Sequence, residues 1–424
     1  VTWNTIISAL HHHGHAAMAV QMYRDMILRC LIPDKVSFIS VLNACASVGS
    51  VNEGQRLHVI ILHNGFEKDV IIGTAIVSFY GKCNFLDLAM FVFNRFDRDI
   101  VSWNAVISSF ANNGHERRAL KLFHSMKGEG FKPNRVTFIC AIGACSNLAS
   151  RQDVMDNEVY KEGATIHALV LEEQLEKDVG VSTSLLTMYG KCRNLISAMS
   201  TFDAMPRKNV VSWNALILGY VERGSYEQVL ECVELMQSQG FFPDIITFNG
   251  CLKCSNNVVE AHKVHIEVVK CGFESDNFCG NALLDTYGRF GCFEETRYLF
   301  DGLLVRDIVS WNALIAGFAQ QGQGHRALEC LEQMQIEGIS SNAITLICML
   351  KTCARLEDIG KCQEVHNDIV TKGLETCLEV GSALVEMYSK NSCIEIAKEI
   401  FDKLPLRDVI SWTSLLTGYA YLGE

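Results

Sequence analysis

The hydrophobic residues of this chain recur with the period of an α-helix. In residues 100–134 one apolar stripe runs from Val106 to Phe110, Gly114 follows it, and a second stripe runs from Ala119 to Met126. No segment alternates with the period of a strand between hairpin turns. The pattern therefore predicts two helices joined by a short turn in a unit of about 35 residues.

Rare residues recur at fixed positions of such units, which indicates an internal repeat. Each of the five tryptophans follows a Ser or Thr: Trp3, Trp103, Trp213, Trp311 and Trp412. Histidine and tyrosine recur in the same way: His58, His167, His265 and His366, with Tyr80, Tyr189, Tyr287 and Tyr388. Because one helix pair cannot bury its apolar face alone, neighbouring pairs must stack. The sequence thus predicts an all-α fold, an α-solenoid superhelix of helix–turn–helix repeats of about 31–35 residues.

Composition limits the classes of function. Of the 424 residues, 49% are hydrophobic, which is ample for a core, yet no apolar run is long enough to span a membrane. The 18 cysteines are scattered singly and are expected to be reduced core thiols. A net charge of −11 argues against a generally basic nucleic-acid binder, so contacts with RNA or DNA must come from local features.

The sequence contains no catalytic or metal-binding motif with the required residue order and spacing. Cys251, Cys254, His265 and Glu267 include the residue types of a zinc deaminase site, but in reversed order and at short spacing. His265 also occupies the recurring histidine position, which favours a structural role. The chain has neither a phosphate-binding glycine loop nor a nucleophile elbow. We expect no metal, no cofactor and no catalytic residue in these 424 residues.

A resemblance to a known family is carried by the runs VTWNTIISAL, VSFISVLNACASVGSVNEGQRLH, SLLTMYGKC and VFNRFDRDIVSWNA. These runs resemble, in order, the repeat types of the pentatricopeptide repeat family, specifically its plant subclass of alternating P, L and S repeats. The resemblance implies one array over 1–424. P repeats are assigned to 1–34, 100–134, 210–244 and 308–342, with a partial one at 409–424; L repeats to 35–69, 135–178, 245–276 and 343–377; S repeats to 70–99, 179–209, 277–307 and 378–408.

The resemblance also implies a function. Family members bind single-stranded organellar RNA, one base per repeat, most often to select cytidines for conversion to uridine. A mitochondrial or chloroplast location follows by the same resemblance, as do editing factors or a deaminase acting in trans as possible partners. The family's deaminase extension would follow the last repeats, and the chain stops at Glu424 before it could begin.

The family reads bases with the fifth and last residues of each repeat. The corresponding pairs are Asn4 with Asp34, Thr74 with Asp99, Asn104 with Asn134, Thr183 with Asn209, Asn214 with Asp244, Asn281 with Asp307, Asn312 with Asn342, and Ser382 with Asp408, while Thr413 lacks its partner. An aspartate acceptor suits the ring N–H of uracil or guanine, and an asparagine amide suits the ring acceptor of cytosine or adenine. With the family's purine and pyrimidine preferences, the pairs predict 5′-U-n-G-C-n-A-U-n-U-C-n-G-3′. The L repeats, with Ile39, Ile139, Asn249 and Ile347 at the fifth position, are left blank.

The resemblance further implies that bases are wedged between the second residues of adjacent repeats, here Val1, Ile71, Val101, Val211, Phe278 and Val309. Gly180 and Glu379 depart from this pattern and leave the contacts at the adenine and final guanine open.

Two alternatives compete with this assignment. Asn4, Asn104, Asn214 and Asn312 could instead be helix N-caps, since asparagine is a favoured cap. The whole array could also be a helical scaffold for a protein partner, which the negative net charge favours and the small polar pairs disfavour.

Overall fold

The computed structural model describes residues 2–29, 31–151, 157–356 and 358–422. Within these ranges the chain forms twenty-five α-helices and no β-strand. None of these helices is both long and apolar enough to cross a lipid bilayer. The helices confirm the predicted all-α solenoid class. An insertion around Ser150–Glu158 departs from the regular repeat length and is expected from the sequence to be a loop between helices. Its residues 152–156 lie outside the described residues.

The chain divides into two compact units, Val1–Arg223 and Gly224–Glu424. The first unit contains α1 (Thr2–His12), α2 (Ala16–Leu28), α3 (Lys35–Val48), α4 (Val51–His63), α5 (Val70–Lys82), α6 (Leu86–Phe93), α7 (Ile100–Asn112), α8 (Glu116–Gly128), α9 (Arg135–Ser150), α10 (Asn157–Glu172), α11 (Val179–Lys191), α12 (Leu195–Ala204) and α13 (Val210–Arg223). The second contains α14 (Tyr226–Ser238), α15 (Ile245–Cys254), α16 (Val258–Lys270), α17 (Asn277–Arg289), α18 (Phe293–Gly302), α19 (Ile308–Gln320), α20 (Gly324–Ile336), α21 (Ala343–Leu356), α22 (Ile359–Thr371), α23 (Leu378–Lys390), α24 (Ile394–Lys403) and α25 (Val409–Leu422).

Each unit has two layers of helices. The odd-numbered helices pack against one another in order, from α1 to α13 in the first unit and from α15 to α25 in the second. Within each unit, most even-numbered helices pack against the odd-numbered helices that precede and follow them. Every helix pair therefore buries its apolar face against its neighbours, as a stacked repeat requires. Each odd-numbered helix from α3 onwards begins at the first residue of an assigned repeat.

Glycine ends the first helix of the pair at several positions. Gly114 has φ +80 and Gly322 has φ +76, a left-handed conformation that side chains with a Cβ rarely adopt. The chain can therefore reverse within a few residues and start the second helix. This explains why glycine recurs between the two apolar stripes.

Aromatic side chains fasten each S repeat to the P repeat that follows. Trp103 meets Phe93 edge to face with ring centroids 4.8 Å apart, and Trp311 meets Phe300 in the same way at 4.6 Å. Both indoles are almost completely buried. Trp103 and Trp311 are thus core residues, in an arrangement that adds about 0.5–1.5 kcal/mol to simple burial.

A histidine–tyrosine pair fastens each L repeat to the following S repeat. Nδ1 of the histidine lies within hydrogen-bonding distance of the tyrosine hydroxyl, 2.9 Å in His58–Tyr80 and 2.8 Å in His167–Tyr189. The pairs of the second unit, His265–Tyr287 and His366–Tyr388, are both 2.9 Å apart. Burial lowers the pKa of all four imidazoles. The recurring histidine therefore has a partner within the fold.

Candidate nucleic-acid interface

The second residues of the repeats leave apolar side chains open to solvent on the odd-numbered helices. Exposure is between 54% and 67% for Ile71, Val101, Val211, Phe278 and Val309. Val1 lies outside the described residues. The repeated exposure of these apolar side chains at one position makes them available to a ligand with flat apolar faces.

The L repeats carry the same feature, which the sequence analysis missed. Val36, Val136, Ile246 and Ile344 are between 50% and 60% exposed at the second position. The same holds for Ile410 in the last repeat, at 58%. The signal was present in the sequence, because these residues share the position of Ile71 and Val101. We call the full set of exposed apolar second residues the apolar ladder of each unit.

In three of the P repeats, hydrogen bonds bring the fifth and last residues together. Asn4 Nδ2 donates to both carboxylate oxygens of Asp34 at 2.9 Å. In the second P repeat, Asn104 Nδ2 donates to Asn134 Oδ1 at 3.1 Å. In the fourth, Asn312 Nδ2 donates to Asn342 Oδ1 at 3.2 Å.

A hydroxyl of the following L repeat holds the fifth residue in place. Ser37 Oγ donates to Asn4 Oδ1 at 2.6 Å. Thr137 Oγ1 donates to Asn104 Oδ1 at the same distance, and Thr345 Oγ1 does so to Asn312 Oδ1. In these three P repeats, the pair assigned from the sequence and the hydroxyl therefore form a three-residue cluster.

The helix caps are the last residues of the repeats, and the capping alternative for the fifth residues is wrong. Asn104 lies inside α7, and its amide bonds to side chains. The N-cap of α7 is Asp99, which accepts from the Ser102 backbone N–H at 2.8 Å. Capping residues of the same kind, each accepting a backbone N–H of the helix that follows, are Asp34, Asn134, Asn209, Asp244, Asp307, Asn342 and Asp408.

Capping favours the charged form of Asp34. The backbone N–H of Ser37, together with the Ser37 hydroxyl and the Asn4 amide, lowers the pKa of the Asp34 carboxyl, although partial burial opposes the shift. Asp34 is thus ionised at neutral pH and can act only as a hydrogen-bond acceptor.

The S repeats are less uniform than the P repeats. Ser382 Oγ donates to Asp408 Oδ1 at 3.0 Å, whereas Thr74 Oγ1 donates to the backbone carbonyl of Val70 at 2.7 Å. Thr183 Oγ1 and Asn281 Oδ1 are buried and have no hydrogen-bond partner in the described part of the chain. A buried polar atom without a partner is costly, and a ligand group can satisfy it.

Three further predicted residues are Asn214, Asp244 and Thr413. Asn214 in the first unit is 4% exposed, and Asp244 in the second caps α15. Thr413 is exposed, and its hydroxyl donates to the Val409 carbonyl at 2.6 Å.

The last residue of an L repeat has a different backbone conformation. Asp69, Asp178 and Asp276 have ψ between 118 and 126, whereas Asp34 and Asp99 have ψ of −179 and 176. A rotation of that size turns the carboxylate relative to the helix start. This difference in ψ is a physical reason for assigning no base to the L repeats.

The zinc-type constellation does not assemble. Within the described ranges, no group of three or more His, Cys, Asp or Glu is placed to hold a metal ion. His265 bonds to Tyr287, and burial raises the pKa of the Cys251 and Cys254 thiols to about 12 and about 11. Without a bound metal, both thiols are thus protonated at neutral pH.

The two-layered stack of helix pairs places the chain among the α-solenoid repeat proteins. The structure of the pentatricopeptide repeat protein PPR10 from maize has the same fold, with a TM-score of 0.55 at 19% identity, over 99% of this chain and 66% of that one. A model of the PPR repeat family matches residues 1–47, 98–147, 208–256 and 306–355, and a PPR repeat model matches 181–210. The chain belongs to the pentatricopeptide repeat family.

Two curated relatives from Arabidopsis thaliana match the chain over its length. Pentatricopeptide repeat-containing protein At5g27110 is 30% identical over 428 residues, covering 100% of this chain and 60% of its own. Pentatricopeptide repeat-containing protein At1g11290, chloroplastic, is 29% identical over 425 residues, covering 99% of this chain and 51% of its own. The chain thus spans little more than half the length of these relatives.

Proposed function

We propose that this chain binds single-stranded RNA sequence-specifically, with one base per repeat. The observation that carries the proposal is the repeated combination of an exposed apolar second residue with a hydrogen-bonded pair of polar residues. The apolar ladder offers faces for stacking, and the polar pairs offer hydrogen bonds to base edges. Single-stranded RNA presents both features, because its bases can be splayed apart and reached on their Watson–Crick edges.

Capping leaves one terminal atom of the last residue for the base. Asn134 Oδ1 accepts from the Thr137 backbone N–H and from the Asn104 amide, which fixes the orientation of the amide. Among the described residues, Asn134 Nδ2 makes no hydrogen bond. In Asp34 the corresponding atom is Oδ2, which accepts only from Asn4 within the part of the chain that the structure describes. The same backbone geometry thus offers a donor in one repeat and an acceptor in another.

This difference supports the predicted choice of base. A donor at Nδ2 complements the ring acceptor of cytosine, and an acceptor at Oδ2 complements the ring N–H of uracil. The P repeats that end in asparagine would select cytosine, and those that end in aspartate would select uracil. The RNA proposed for the whole array remains 5′-U-n-G-C-n-A-U-n-U-C-n-G-3′.

The wider role is also a proposal. We infer that the chain is the site-recognition part of a PLS-subclass protein for organellar RNA processing, with C-to-U editing as the reaction it serves and editing factors or a deaminase as partners in trans. The resemblance of the alternating repeats supports this inference. Matching relatives named chloroplastic and mitochondrial support an organellar location.

The protein-scaffold alternative has less support from the surface. Protein interfaces draw most of their affinity from buried aromatic and arginine anchors. Apart from Phe278, the apolar ladder consists of valine and isoleucine.

The proposal is tested by binding the chain to the proposed RNA and to an RNA in which every read purine and pyrimidine is exchanged. At least a tenfold preference for the first RNA, about 1.4 kcal/mol, is expected. With a net charge of −11 and few phosphate contacts, the preference should change little with salt. Equal, weak and salt-sensitive binding to both RNAs would refute sequence reading.

A further inference from the structure

Gly180, the second residue of the S repeat 179–209, leaves a gap in the apolar ladder of the first unit. A side chain of the preceding L repeat covers this gap. A methyl group added to Gly180 would lie 2.8 Å from Nη2 and 3.4 Å from Nε of Arg135. The guanidinium of Arg135 therefore occupies the space in which other repeats place an aliphatic side chain.

An ion pair anchors this arginine. Arg135 is the first residue of α9, and its Nε donates to Asp178 Oδ1 at 2.9 Å. Asp178 in turn caps α11 by accepting from the Val181 backbone N–H at 3.0 Å. The Arg135 side chain nevertheless stays 59% exposed. One edge of the guanidinium is held by the protein, and much of its surface remains open to a ligand.

We propose that Arg135 supplies the stacking surface that Gly180 lacks, between the fifth and sixth nucleotides of the bound RNA. This inference rests on the proposed RNA-binding function. A guanidinium is planar and weakly hydrated, and it stacks on nucleobases as well as an aromatic ring can. The sixth nucleotide is the predicted adenine, whose two fused rings offer the larger face for this contact.

The other L–S junctions explain why this one is different. Lys35 stands where Arg135 stands and pairs with Asp69, but the second residue there is the exposed Ile71. In the third junction Phe278 fills the second position. In the fourth the second residue is Glu379, and the first residue of the preceding L repeat is Ala343, which is too short to cover it. Among the four junctions, an arginine begins the L repeat only where glycine is the second residue of the following S repeat.

Lys35 provides a matched control. Lys35→Ala and Arg135→Ala each remove one cation and leave one aspartate unpaired, yet only Arg135→Ala removes a stacking surface. We expect Arg135→Ala to weaken binding of the proposed RNA about tenfold and Lys35→Ala at most about twofold. Arg135→Lys, which keeps the charge and loses the plane, should behave more like Arg135→Ala.

Two further measurements separate stacking from charge. In the Arg135→Ala background, Gly180→Ile recreates the arrangement at Ile71 and should restore affinity to within about twofold of the wild type. On RNA that lacks the fifth and sixth bases but keeps their phosphates, Arg135→Ala should cost almost nothing. Thermal unfolding of each variant checks that the fold is retained, which the exposure of Arg135 leads us to expect.

The outcomes are distinguishable. Equal losses for Arg135→Ala and Lys35→Ala, or a loss that persists on the abasic RNA and fades at high salt, would mean a phosphate contact and overturn the inference. Unchanged binding by Arg135→Ala, with wild-type selectivity intact, would overturn it while leaving the proposed function standing. If the wild-type chain does not distinguish the proposed RNA from the exchanged one, both fail.

Discussion

Asn134→Asp should reverse the base preference of the second P repeat without disturbing its fold. The substitution exchanges Nδ2, which has no hydrogen-bond partner in the described structure, for a carboxylate oxygen. It keeps Oδ1, which accepts from Thr137 N–H at 3.1 Å and from Asn104 Nδ2 at 3.1 Å. Asp34 shows that an aspartate makes the corresponding bonds in the same position. We therefore expect the free energy of unfolding to change by less than about 0.5 kcal/mol.

The effect on binding can be bounded. With cytosine as the fourth nucleotide, the variant loses one hydrogen bond and sets two acceptors against each other, which together costs about 1–2 kcal/mol. With uracil, it gains a similar amount. The difference in binding free energy between cytosine and uracil at this nucleotide should therefore change by about 2–4 kcal/mol, or about 30- to 1000-fold in relative affinity.

The assay is equilibrium binding of the wild type and the variant to two RNAs that differ only in the fourth nucleotide. The ratio of the two affinities is the informative quantity, because the added negative charge weakens binding to both RNAs alike. Asp34→Asn is the reciprocal control and should shift the first nucleotide from U towards C. An unchanged ratio, with both affinities lowered equally, would refute the assignment of Asn134 as a reading residue.

Four further outcomes follow from the contacts. Asn104→Ala should weaken binding chiefly to RNA with cytosine as the fourth nucleotide, in binding assays with all four bases there, and a uniform loss would contradict its role. Asn249 has the chemistry of a reading residue but lies in an L repeat, so affinities for the four bases at the eighth nucleotide should agree within about twofold. Asn249→Ile is the control. A clear preference for one base would show that the backbone geometry of the L repeat does not prevent base reading. Because burial lowers the pKa of His167, the fold favours the neutral imidazole, so stability should be full above the unfolded pKa of about 6.5 and fall below it. Denaturant unfolding at several pH values would detect this, and a His167→Gln variant with the same pH dependence as the wild type would exclude this imidazole as a source. Tyr189→Phe should cost about 1 kcal/mol at pH 7.5 in the same assay, and no cost would mean that the 2.8 Å contact contributes nothing.

Much of the fold could be predicted from local patterns. The recurring Trp103 and Trp311, the glycine at 114 and the paired apolar stripes depend on residues close together in the chain, and helix period and turn geometry are local properties. The reading pairs of the P repeats were assigned by resemblance, and the structure brings Asn4 to Asp34 and Asn104 to Asn134.

The cap assignment shows where local reasoning was insufficient. Asparagine is a good cap, but whether it caps depends on where the helix starts. Because α7 starts four residues before Asn104, the Asn104 side chain lies inside the helix and bonds to Thr137 and Asn134 instead. The exposure of Val36 and Val136 was missed for a related reason. Apolar residues are expected inside, and which face of a helix stays uncovered is set by the neighbouring helices.

The sequence by itself determined that this protein is a stack of helix pairs, because helical period and glycine turns act over a few residues and repeat throughout the chain. Tertiary structure alone decided which side chain covers Gly180 and how the carboxylate of Asp178 is turned. Those features depend on contacts between residues far apart in sequence, such as Arg135 and Asp178, and only the packing of α9 against α11 brings them within bonding distance.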